Sequence, residues 1–581
     1  MKRFWCVLIA ALSLACNLVI PPTTLPPTVE TAAVTPSLTP SVVVTPTATS
    51  IPASPSPSPT PTPAPTATPS GPGLELDGVH FFPWPLYAGD WVSVDIDPRL
   101  PDDVTGPLTL TWTLNPDTTL TTLVDYVGLN NALQARFYWA WQIPSTMETV
   151  PFTFTLALPP GFDDPDLTDN TLFVAVTPLP IADMREPEPE ARWTSTELSG
   201  FRLHYLTHSA AERDLPAITI EAADAYADVT ALFGPTDSLL DIYLLDRVIG
   251  QGGYASSAWV AVSYTDRQYT PVSLGMVLRH ELTHRLDASV GCALAPSLVR
   301  EGLAVYVAGG HYALKSIVQG AAVIYASEHY IPLARLADNF YAQQHEVSYM
   351  EAGAFVTYLV DNYGWDGLTT FCQAAAWNET TPDDATLLDA GLQAIGEARL
   401  SVFQTHWEAW LAAQPVTSAA TAALETEVHL METLRAYQRA YDFSAHFLEG
   451  ILFDPQAGAS MHITADFVRR PREAEPVALE LLLVMAREAL AREDTALADN
   501  LLSAVDDVLG GGFPATGLAA DVRAIVAAAL AQGYEPYRLT ARLDGSYQVD
   551  ALEYAAWPTQ RVLAAAQSET TWTLTVLSLS H

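Results

Sequence analysis

The chain has 581 residues, too many for one hydrophobic core, and that length predicts roughly three or four domains. Hydrophobic residues make up 49% and charged residues 16%, a balance that folds into globular units and excludes a wholly disordered chain. The 66 acidic against 27 basic residues leave a net charge of −39, which repels nucleic acid and anionic lipid surfaces and argues against both as partners.

Residues 1–16 place Lys2 and Arg3 before a short apolar run, the pattern of an export signal and too brief to span a bilayer comfortably. Cys16, after Ser13-Leu14-Ala15, resembles a bacterial lipobox. That resemblance implies a lipidated cysteine as mature N-terminus and a cell-surface or membrane-anchored lipoprotein; plain secretion and a retained N-terminal anchor are the alternatives. Residues 17–72 are Pro, Thr, Ser and Ala almost throughout, which cannot bury a core and predicts an extended stalk.

Between 73 and 180 apolar residues recur with period two, as in Val92, Val94 and Ile96, in Leu108, Leu110 and Trp112, and in Phe152, Phe154, Leu156 and Leu158. About seven strands separated by turn clusters predict a β-sandwich. Its closing Asp166-Leu167-Thr168-Asp169-Asn170-Thr171 loosely resembles bacterial Ig-like adhesion modules, so the expectation is an Ig-like spacer.

An acid- and proline-rich link, 178–189, leads into a region of mixed periodicity. Strands are predicted at 201–206, 239–245 and 254–264, a helix at 210–233, and further helices at 272–288, 296–308, 347–363 and 402–413. From 416 the chain is mostly helical, with amphipathic runs at 476–491, 494–509 and 516–532, and alternation returns in 537–581 as a small α+β cap. The domain expectation is therefore 73–180, 190–415 and 416–581 behind the signal and stalk. Cys292 and Cys372 are either one disulfide or two buried thiols.

One constellation carries chemistry. His280-Glu281-Leu282-Thr283-His284 sets two imidazoles one helical turn apart on one face, within reach of a single tetrahedral ion, and Glu281 beside the open coordination position. Leu278, Leu282 and Leu286 supply the helix with an apolar stripe. A catalytic zinc needs a third protein ligand, and Glu301 in Arg300-Glu301-Gly302-Leu303-Ala304 projects from the next helix.

The strand, HExxH helix and Glu-Gly-Leu-Ala helix together are similar to the peptidase MA-like gluzincins, a thermolysin-like superfamily. Over about 195–415 the resemblance implies a zincin-like α+β domain, Zn²⁺ held by His280, His284 and Glu301, and Glu281 activating a zinc-bound water for peptide-bond hydrolysis. It also implies that 252–262 contributes an edge strand along the cleft. Tyr349, in Ser348-Tyr349-Met350-Glu351, takes the place of the family's tyrosine that points at the metal, with Tyr358 and His345 as alternatives. Asp287 suits a supporting place better than a ligand's. His204, His311, His406 and His446 lack ligand spacing and are expected to be structural or surface groups.

The function expected is an exported zinc metallopeptidase, leaning to endopeptidase, with a peptide or protein substrate. The competing expectation is a non-catalytic surface adhesion lipoprotein carrying a degenerate peptidase domain. No Walker phosphate loop, G-x-S-x-G elbow or paired-cysteine metal knuckle is present.

Overall fold

The computed structural model describes residues 75–82, 85–99, 108–113, 119–127, 134–136, 139–157, 164, 166–184, 188–236, 238–250, 252–311, 316–377, 383–445, 454–554, 559–568 and 571–577. The expected signal, Cys16, the stalk and His446 lie outside them. Among the described residues no helix is long and apolar enough to cross a membrane.

Eight strands come first: β1 (Glu75–Phe82), β2 (Trp91–Arg99), β3 (Leu108–Thr113), β4 (Thr119–Val127), β5 (Gln134–Arg136), β6 (Trp139–Gln142), β7 (Val150–Ala157) and β8 (Thr171–Val176). They pair in the order β1-β2-β5-β4-β3-β7-β8, with β6 also on β2. Alternation sorts β7 as the sequence predicts, burying Phe152, Phe154 and Leu156 between outward threonines. Phe81 of β1 lies 5.4 Å from Phe152, so the sheet folds back over its own apolar face. The ladders form one continuous path, and a closed two-sheet Ig-like sandwich is not shown among the described residues.

The central sheet runs β12-β13-β11-β10-β9, from β9 (Trp193–Glu197), β10 (Phe201–Leu206), β11 (Leu240–Leu245), β12 (Gly253–Ala255) and β13 (Trp259–Ser263). Strand β11 is parallel to β10 and β13, while the edges β9 and β12 are antiparallel. The single strand expected at 254–264 is a hairpin instead. Ser256, whose hydroxyl accepts from the Trp259 amide at 3.1 Å, turns the chain between β12 and β13.

Both faces of this sheet are covered, which explains why β11 and β13 read as continuous apolar runs. Ile242, Leu244, Val260 and Val262 face the central helical core, whereas Tyr243, Leu245, Trp259 and Ala261 pack on Ile463, Phe467 and Val468 from the later chain. The helix predicted over 210–233 is divided into Ala210–Arg213 and Leu215–Phe233, because Pro216 fits only a first turn.

Three helices position the candidate site. The motif helix, Leu274–Leu286, is capped by the Ser273 hydroxyl on the Met276 amide at 3.3 Å and by Glu221 on the Gly275 amide at 2.8 Å. The glutamate helix is Ser297–Ala308, and the tyrosine helix is His345–Ala374, interrupted at Gly364 with φ of 70°. A Cβ at Gly302 would stand 2.3 Å from the Ala352 carbonyl oxygen, and one at Gly353 would stand 2.5 Å from Val305 Cγ1. These two hydrogens in place of side chains let the glutamate and tyrosine helices press together. A Cys292–Cys372 disulfide joins the turn before the glutamate helix to the end of the tyrosine helix, settling the thiol question.

The later chain contributes helices Ser418–Tyr441, Ala474–Ala491, Thr495–Gly511 and Leu518–Ala531, then a meander of β14 (Tyr534–Ala541), β15 (Tyr547–Glu553), β16 (Gln560–Ser568) and β17 (Thr571–Leu577). Helix Ser418–Tyr441 belongs to two cores at once. Leu424 and Val428 lie in the central one, while Leu430, Leu434 and Tyr437 lie in that of the extension. No clear boundary therefore falls at the expected 415–416 step.

Candidate metal centre

His280 and His284 leave the motif helix side by side, and Glu301 meets them from the glutamate helix. The three donor atoms form a nearly equilateral triangle. His280 Nε2 lies 3.2 Å from His284 Nε2 and 3.2 Å from Glu301 Oε2, and His284 Nε2 lies 3.3 Å from that same oxygen. A tetrahedral ion at about 2.0–2.1 Å from each donor needs donor–donor edges of about 3.3–3.4 Å. The triangle matches that requirement and leaves the fourth apex open. Among the described residues this is the one His/Cys/Asp/Glu group of three or more compact enough to hold a metal ion.

The electrostatics follow from burial and proximity. Burial alone would raise the Glu301 carboxyl, but the charge of His284 and hydrogen bonds from both histidines hold it well below the usual carboxylate range. Burial likewise works to lower His284, and Glu301 outweighs it, raising the imidazole. Glu281, only 7% exposed, has its carboxyl raised by burial, partly countered by the two histidines and reinforced by Glu301. A Cβ at Gly253 would stand 3.1 Å from Glu281 Cγ and 2.4 Å from Val277 Cγ1, so the edge strand β12 lies directly against this glutamate.

Two partners escaped the sequence reading. The Tyr341 hydroxyl donates to Glu301 Oε1 at 2.7 Å, which turns the other oxygen, Oε2, toward the histidines. His311, expected to be a structural or surface group, is 9% exposed; its Nδ1 lies 3.0 Å from Glu346 Oε2 and its ring 6.2 Å from that of His280. Residue spacing gave no signal for either, since each comes from a segment far from the motif.

Tyr349 is at the site's wall, stacked on His345 at 4.1 Å and on His311 at 4.3 Å, with its ring 6.1 Å from that of His280. Tyr358 instead packs with Phe403, Trp407 and Trp410 in the aromatic core. Asp287 accepts from Arg300 Nε at 3.0 Å, which fixes the residue next to Glu301 and takes no place in the triangle. His204 is bound to Asp241 at 2.7 Å, and His406 is a surface group.

Fold and site together define a multidomain α+β protein bearing a three-donor cluster that could coordinate a metal ion. No family model and no curated protein matches the chain. Among solved structures, that of native yeast LTA4 hydrolase is a weak, partial match at 12% identity and a TM-score of 0.31, covering 75% of this chain and 92% of that chain. At that score the likeness assigns no residue, and the chemistry rests on the side chains described above.

Proposed function

We propose that the chain is a zinc-dependent metallopeptidase of HExxH gluzincin type, with His280, His284 and Glu301 as ligands and Glu281 as general base. The observation that carries this reading is the donor triangle with an open apex and a buried glutamate one residue along the same helix. A zinc ion held there supplies Lewis acidity toward a scissile carbonyl and makes water a competent nucleophile near neutral pH.

Everything else is done by the protein. An extended peptide adds alongside β12, the terminal strand of its sheet, which lies against Glu281. Glu281 takes a proton from the attacking water and hands it to the leaving nitrogen, from a buried place on the same helix as the two histidines. Tyr349 steadies the developing oxyanion. Export, the Cys16 lipid anchor and an Ig-like spacer function for the N-terminal sheet remain part of the proposal on sequence grounds. Endopeptidase action is preferred because the sequence carries no clear glutamate-bearing motif for gripping a free amino terminus.

Glu281→Gln tests the reading. The variant retains one zinc per chain by elemental analysis and loses hydrolysis of a peptide library by about 10²–10⁴-fold, the usual range for a general base. Cleavage at the parent rate would sink the assignment of Glu281. A purified parent chain without stoichiometric zinc would favour the adhesion reading.

A further inference from the structure

His345 opens the tyrosine helix, and Tyr349 stands one turn further along the same face, the spacing at which helical side chains meet. Their ring centroids are 4.1 Å apart. His311, from the loop after the glutamate helix, completes the group, with its ring 4.3 Å from that of Tyr349 and 5.1 Å from that of His345. The three rings thus pack as a closed triangle rather than a column. Phe340 adds a fourth ring, 5.1 Å from Tyr349, and all four residues are buried.

The triangle borders the metal centre. The His280 ring lies 6.1 Å from that of Tyr349 and 6.2 Å from that of His311. The His311 corner is anchored by Glu346, whose Oε2 lies 3.0 Å from its Nδ1. At the His345 corner, burial and then the charge of Arg435 hold the imidazole well below its usual range, so it packs as a neutral flat ring. A tyrosine side chain exchanges among staggered rotamers, and packing ring on ring selects one of them before any substrate arrives.

We infer that His345 is a positioning residue for Tyr349, and that its ring, packed on the phenol ring one turn along, holds that side chain at the metal centre. The inference rests on the hydrolytic reading for the task Tyr349 performs, yet the placement can be read from zinc alone.

The probe is zinc itself, added to full-length, metal-free protein in which Tyr349→3-fluorotyrosine supplies a single ¹⁹F reporter. Bound zinc displaces that resonance in the parent, because the labelled ring stands beside His280. His345→Leu removes the flat ring at close to the same volume; zinc content by elemental analysis stays stoichiometric, and the zinc-induced displacement is lost. His345→Phe restores the ring and the displacement. In unlabelled protein acting on a peptide library, His345→Leu lowers kcat by about 10–100-fold, the scale of an ångström's misplacement, and leaves KM little changed. His345→Phe recovers most of that loss.

A zinc response in His345→Leu equal to the parent's overturns the positioning role. Equal losses in the leucine and phenylalanine variants overturn it as well, since a ring nitrogen rather than ring packing would then be at work. A parent resonance that ignores bound zinc overturns the placement of Tyr349. A parent that shows the whole pattern of zinc responses but hydrolyses nothing supports the placement while overturning the peptidase reading, so the two fail separately.

Discussion

Tyr341 fixes Glu301, the carboxylate of the candidate metal cluster, through the oxygen that does not face the histidines. A phenol donating to one carboxylate oxygen selects single-oxygen ligation by the other and pre-pays the ordering of the side chain. Tyr341→Phe keeps the ring in its buried place and deletes only the hydroxyl. Zinc affinity, measured by competition with a chromophoric chelator, should fall about 10–100-fold, with stoichiometry recovered in excess zinc. An unchanged affinity would mean that Glu301 holds its pose without help. The His280, His284 and Glu301 cluster was legible in the sequence because helical periodicity and the next helix's motif place those residues with no knowledge of the fold. Tyr341 and His311 were not, because only the meeting of the 3₁₀ turn Phe340–Ala342 with the glutamate helix, and of a loop end with the motif helix, brings them close.

Helices were read most securely where local chemistry punctuates them. Ser273 starts the motif helix, and the stretch predicted to stop at 363 does break at Gly364, although the chain resumes helix beyond it. Tertiary contacts were illegible by comparison, as in the pairing of Ser418–Tyr441 with Thr495–Gly511. His429 is clamped there between Asp499 Oδ1 at 3.2 Å and Asp506 Oδ2 at 2.8 Å, with the Thr426 and Thr433 hydroxyls on the same two carboxylates. Burial works to lower its pKa, but the hydrogen bonds its ring donates to Asp506 and Asp499, and the charge of those carboxylates, raise it above 6.5. A histidine raised on folding contributes stability that is fully present below its unfolded value and is lost as pH rises through the folded one. Parent and His429→Gln should therefore differ most below pH 6.5 and converge above the raised value. The pair is partly exposed and screened, so the gap in urea denaturation is about 0.2–1 kcal/mol. A gap that widens toward alkaline pH would refute the clamp.

Across the whole molecule, the least legible feature is how the parts are joined. Alternation and amphipathic runs revealed the strands of both flanking sheets and the Ala/Leu helices, but gave no reason for the extension to touch the central unit. The structure supplies one in a buried arginine strap. Arg469 reaches Asp90 of the N-terminal sheet at 2.6 Å and also Glu188, and Arg470 reaches the Asp246 carbonyl at 2.7 Å and Thr265 at 2.6 Å. From the central unit, Arg267 reaches back to Glu480, to Glu535 at 2.8 Å and to the Pro471 carbonyl at 3.0 Å. Arg267 is 1% exposed and its two acidic partners no more than 2%, so each charge depends on the others for the solvation that water no longer gives. In Arg267→Met, Glu535 keeps Arg470 and Arg472 within 4 Å, but Glu480 is left with the Tyr437 hydroxyl alone. The single variant should lose about 3–5 kcal/mol at neutral pH, and Arg267→Met with Glu480→Met should recover most of it, because two apolar groups replace two mutually dependent ions. Urea denaturation of the parent, both single variants and the double closes this cycle. If the double variant is as unstable as the two losses added together, the ions do not act as a pair, and the joint between the central unit and its extension must be carried by the apolar packing of Tyr269 on Tyr437.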